Sequence, residues 1–104
     1  MDAKIELAVY EILSGASVAT VCAGFSAAEQ DAVIRHGVHM RQLLTATAEK
    51  LYQGADIVGT CDNFNTYDLF IVARILRNDF GAEDLADELD SLCTLCEHIE
   101  AQVA

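Results

Sequence analysis

Residues 65–80, NTYDLFIVARILRNDF, decide the fold because they combine a helix-start signal with apolar side chains on most sides. Asn65 is a preferred N-cap residue, and Asp68 falls in the first turn, where the helix dipole favours an acid. A helix that is apolar on most sides belongs in the interior of a protein, so the sequence predicts a central helix here. Its apolar residues are Leu69, Val72, Ala73, Leu76 and Phe80 on one stripe, with Tyr67, Phe70, Ile71 and Ile75 beside it.

Four further helices are predicted from apolar periodicity and capping residues, at residues 3–13, 18–22, 27–53 and 82–102. Ser26 and Glu29 form a capping box at the start of the longest one, and Gly54 is a C-cap at its end. The chain contains no proline, and residues 55–64 are predicted to be a loop. Together these features predict an all-α fold, a compact bundle of about five helices in which the third and fifth pack on the central fourth.

The length and the net charge of the chain limit its possible architecture and partners. The chain has 104 residues, 53% of them apolar, with 17 Asp and Glu against 6 Lys and Arg, a net charge of -11. This size and apolar content predict one helical domain over residues 1–104, since disordered acidic chains are poor in apolar residues. The charge argues against direct binding to nucleic acid or to an anionic membrane, and it favours a basic protein surface as partner.

Neither a targeting segment nor a membrane span is predicted. The first residues carry acids where a secretory signal needs basic side chains. The densest apolar stretch, residues 69–73, is far shorter than the roughly 20 residues of a spanning helix. We therefore expect a soluble, cytoplasmic protein.

The C-terminal quarter of the sequence is acidic without any compensating base. From Asp79 onward there are eight acids and no Lys or Arg. Like charges along one helix reduce its stability, and a basic partner would explain why this is tolerated. The alternative explanation is a solvated face that keeps the protein soluble. The predicted partner-binding residues are Asp79, Glu83, Asp84, Asp87, Glu88, Asp90 and Glu97.

In size, helicity and the charge of residues 82–90, AEDLADELD, the chain resembles the small acidic inhibitors encoded by phages and mobile elements. That class includes anti-CRISPR proteins and other DNA mimics, whose carboxylates stand where the phosphates of a nucleic acid would bind. The resemblance is to a class and not to a particular family. It implies stoichiometric inhibition of a nucleic-acid-binding complex, without catalysis.

A second segment suggests a different function. Residues 17–26, SVATVCAGFS, and the helix that follows them resemble a helix-turn-helix. Residues Ser17 to Arg41 would then belong to a small transcriptional regulator; simple helix packing is the other interpretation. The would-be recognition helix carries two acids, Glu29 and Asp31, that would face phosphates, and it has Gln30 where an aliphatic residue is usual. Its thin basic patch consists of Arg35, His36 and Arg41.

The histidines and cysteines allow one metal hypothesis. The pairs His36 and His39, and Cys93 and Cys96, each have a spacing of three, and together they supply a Cys2His2 zinc set. The alternative is that the cysteines are reduced core residues, because the last helix places Cys96 within its apolar stripe. We expect no metal and no cofactor. The four cysteines are Cys22, Cys61, Cys93 and Cys96.

Two apolar surfaces predict a third class of function, a dimeric helical adaptor. One is a side patch of Ile34, Val38 and Tyr52 on the third predicted helix. The other is the heptad-like stripe of the fifth, formed by Leu85, Leu89, Leu92, Cys96, Ile99 and Val103. Nucleophilic catalysis needs a Cys or Ser beside an oriented His, and no local motif supplies one. We therefore expect no enzymatic activity.

Overall fold

The computed structural model describes the backbone of residues 2–103 and the side chains of residues 2–95. Within this part of the chain every regular element is an α-helix, which confirms the predicted all-α class. The helices are α1 (Ala3–Leu13), α2 (Val18–Val21), α3 (Ala27–Tyr52), α4 (Ile57–Cys61), α5 (Thr66–Asp79) and α6 (Glu83–Val103).

The described helices number six rather than about five, because residues 55–64 are not a plain loop. Asp56 accepts a hydrogen bond from the Gly59 backbone N–H at 2.8 Å and caps the short helix α4. The sequence interpretation missed it because Ile57 and Val58 are β-branched and Gly59 follows them, a composition that disfavours helix in isolation. The Asp56 cap offsets that preference.

The described helix ends agree with the capping residues predicted for them. The Ser26 N–H donates to Glu29 Oε1 at 2.9 Å, and the Glu29 N–H donates to Ser26 Oγ at 3.1 Å, which completes the capping box of α3. At the other end Gly54 has φ +100° and its neighbour Ala55 donates to the Lys50 carbonyl at 3.0 Å. Positive φ favours glycine, so Gly54 ends α3 as a Schellman cap.

The chain divides into two compact units, Met1–Leu43 and Leu44–Ala104. The first contains α1, α2 and the N-terminal part of α3, with α1 in contact with α2. Its core is small: the buried residues are Ile5, Ala8, Val9, Cys22 and Val33. Lys4 Nζ lies 4.3 Å from the centre of the Phe25 ring, and Phe25 packs against this core.

The second unit contains the rest of α3 with α4, α5 and α6, and α5 packs along α6. Leu44, Leu76 and Leu89 are 0% exposed and come from three different helices. Helix α5, the predicted central helix, is not buried on every side, because Tyr67 and Phe70 are exposed. Its central position in the whole fold stays a prediction.

The buried seam of α6 is broader than the predicted stripe. Ala86 and Cys93 are fully buried beside Leu89, whereas Leu85 and Leu92 are half-buried. The predicted stripe residues Cys96, Ile99 and Val103 lie outside the described side chains. Among the described helices, none has both the length and the apolar character needed to cross a membrane.

Candidate functional site

The acidic residues at the start of α6 lie on its outer side, away from the seam. Glu83, Asp84, Asp87 and Glu88 are exposed, and Asp90 is half-buried. Glu83 and Asp84 stand in the first turn, where the unsatisfied N–H groups and the helix dipole favour negative charge. The mutual repulsion predicted for these acids is therefore partly offset by their position.

A base from α5 engages two of the predicted partner-binding acids. Arg77 Nη2 donates to Asp87 Oδ1 at 2.8 Å and to Asp90 Oδ2 at 3.1 Å. The hydrogen bond to Asp90, followed by that to Asp87, raises the pKa of Arg77 above its ordinary value. The last quarter of the sequence has no Lys or Arg of its own, but the packing of α5 on α6 supplies Arg77.

The other acids of the predicted site differ in what they contact. Glu83, Asp84 and Glu88 form no ion pair with any side chain that the structure describes. Asp79, the last residue of α5, is exposed. Glu97 lies outside the described side chains. We use the name acidic surface for the described members of the set: Asp79, Glu83, Asp84, Asp87, Glu88 and Asp90.

In the first unit, the acids that would face DNA in a helix-turn-helix already form ion pairs with basic side chains of the same unit. Lys4 Nζ donates to Glu29 Oε2 at 3.0 Å, and Arg35 pairs with Asp31 at 3.0 Å. The Ser26 backbone hydrogen bond, and then the one from Lys4, lower the pKa of Glu29 below its ordinary value of 4.5. Helix α2 has four residues only, so the element that precedes the turn at Gly24 is short.

An apolar groove runs along α3 in the same unit and encloses about 250 Å³. Helices α1 and α2 provide one wall, with Val9, Ile12, Leu13 and Val18. Helix α3 provides the other, with Val33, Ile34, Gly37, Val38 and Arg41. Val18, Ile34 and Val38 are exposed at its rim, so aliphatic surface faces solvent here.

The predicted side patch of Ile34, Val38 and Tyr52 is divided between the units. Ile34 and Val38 line the groove of the first. Tyr52 belongs to the second, where its ring packs on Phe80 with 5.2 Å between the ring centroids. The sequence interpretation grouped these residues because they share a helix flank. Nothing in the local pattern indicates the aromatic contact.

The predicted zinc ligands do not form a described metal site. Cys93 is fully buried, His36 is half-buried and His39 is exposed. No three His, Cys, Asp or Glu side chains converge as a metal site requires within the described part of the chain. Cys22, Cys61 and Cys93 are buried thiols outside any disulfide, and desolvation raises the pKa of Cys61. Cys96 lies outside the described side chains.

Comparison of the chain with profiles of known protein families, with curated proteins and with solved structures finds no match.

Proposed function

We propose that this chain is a non-enzymatic interaction protein whose acidic surface binds and inhibits a basic, nucleic-acid-binding partner in the manner of a DNA mimic or an anti-CRISPR inhibitor. One observation carries the proposal. Glu83, Asp84 and Glu88 project from one exposed helix face without an ion pair among the described side chains, while the nearby Arg77 is already engaged. Such a face attracts Lys and Arg on a partner and steers its approach.

The ion pairs of Arg77 indicate which acids of the acidic surface are available to a partner. Asp87 and Asp90 hold the Arg77 guanidinium, so part of their charge stabilises the fold. The residues with charge left for a partner are Glu83, Asp84 and Glu88. Replacing Asp87 or Asp90 by lysine would set two cations against each other and confuse a loss of binding with a loss of structure.

The groove supports the non-enzymatic part of the proposal. Its ionisable lining residue, within the described part of the chain, is Arg41. A guanidinium donates hydrogen bonds and has no acceptor atom, so it cannot serve as a general base or nucleophile. We place the protein in the cytoplasm, where buried thiols such as Cys22 stay reduced.

The test compares two triple charge reversals with the same net charge. The site variant carries Glu83→Lys, Asp84→Lys and Glu88→Lys. The control carries Glu6→Lys, Glu49→Lys and Asp62→Lys, at exposed acids that form no described ion pair. Glu6 lies in the first turn of α1, so the control also reproduces the unfavourable change at a helix N-terminus.

Each protein is immobilised, exposed to nuclease-treated bacterial lysate and eluted with rising salt. A basic nucleic-acid-binding protein retained by the wild type and the control, but not by the site variant, supports the proposal. Association with the site variant should be slower by roughly tenfold or more at low salt, because steering by a charged surface raises association rates by about 10- to 1,000-fold. The captured protein should also lose its nucleic-acid binding when wild-type chain is added. Equal retention by both variants contradicts the proposal.

The helix-turn-helix regulator remains the alternative, since α2, the turn at Gly24 and α3 follow in the required order. It predicts that the purified chain binds duplex DNA and that the site variant binds it as well as the wild type. A sequence-specific complex of the chain with duplex DNA would favour the transcriptional regulator over the inhibitor.

A further inference from the structure

We draw no further inference here: the strongest candidate, the apolar groove between α1, α2 and α3 in the first unit, carries none because nothing in the structure shows what covers its exposed rim.

Discussion

The two units of this chain treat apolar surface in different ways. In the second unit, leucines from α3, α5 and α6 are withdrawn completely from solvent, as Leu44, Leu76 and Leu89 show. In the first unit the core is small, and Ile34 and Val38 remain more than half exposed beside an open groove. Both units leave some large hydrophobic side chains exposed, Val58 and Tyr67 among them in the second, so the difference lies in the size of the buried core.

The units also differ in how they use charge. In the first, Lys4 pairs with Glu29 and Arg35 with Asp31, each with one acid for one base. In the second, Arg77 holds two carboxylates and the remaining acids of α6 face solvent. The apolar groove and the unpaired acids of α6 therefore belong to different units, and mutation can separate their roles.

The strongest test of this comparison truncates one aliphatic side chain in each unit. Leu89→Ala should destabilise the protein by about 2–5 kcal/mol, since the removed atoms leave a cavity in a closed core. Ile34→Ala should change stability by about 1 kcal/mol or less, because that side chain already contacts water. Urea unfolding followed by circular dichroism, at monomeric concentration, measures both. Similar losses would mean that Ile34 is packed as tightly as Leu89.

Two glycines, one in each unit, allow the backbones of the two units to be compared. Gly81 joins α5 to α6 with φ +65°, and a Cβ built on Gly81 or on Gly37 would meet no described atom within 4 Å. Gly81→Ala should destabilise the second unit by about 1–2 kcal/mol, the usual penalty for a left-handed non-glycine residue. Gly37→Ala should stabilise the monomer by up to about 1 kcal/mol. Thermal melts of the two variants should shift in opposite directions, and a shift of the same sign would contradict the backbone argument.

Arg77→Gln tests the two ion pairs that join α5 to α6. The expected effect is a lower melting temperature, smaller than that of Leu89→Ala, because loss of the guanidinium leaves Asp87 and Asp90 to repel each other. Added salt should reduce the difference from the wild type by screening that repulsion. Arg74→Gln is the control, since Arg74 is exposed one turn earlier and forms no described ion pair. Equal melting temperatures for the two variants would show that the bridge contributes nothing.

The smallest expected effect is the pH dependence of the α3 capping box. The pKa of Glu29 is lowered in the folded protein, so its ionised form stabilises the fold above the ordinary value of 4.5. This contribution should disappear as the pH falls below 4.5, through the lowered pKa. Glu29→Gln keeps the hydrogen-bonding shape and removes the charge. The stability difference between wild type and variant should be larger at pH 6 than at pH 3, and a difference independent of pH would contradict the assignment.

The sequence predicted local features well and contacts between helices poorly. The bounds of α1, the Ser26 and Glu29 capping box and the Gly54 cap were all predicted, because each depends on residues within one or two helical turns. The exposure of most acids on α6 was also predicted, since it follows from the helical period. Helix α4 was missed because the composition of its residues disfavours a helix, and its stability depends on the Asp56 N-cap.

The helical class, most helix ends and the acidic character of the last helix thus follow from the amino-acid sequence alone. The tertiary structure decided that Arg77 engages Asp87 and Asp90, that Tyr52 packs on Phe80, and that Ile34 and Val38 border a groove. Capping depends on residues within about one turn and is encoded locally. An ion pair between two helices exists only once their packing brings the charges within a few ångströms, and no local pattern specifies that distance.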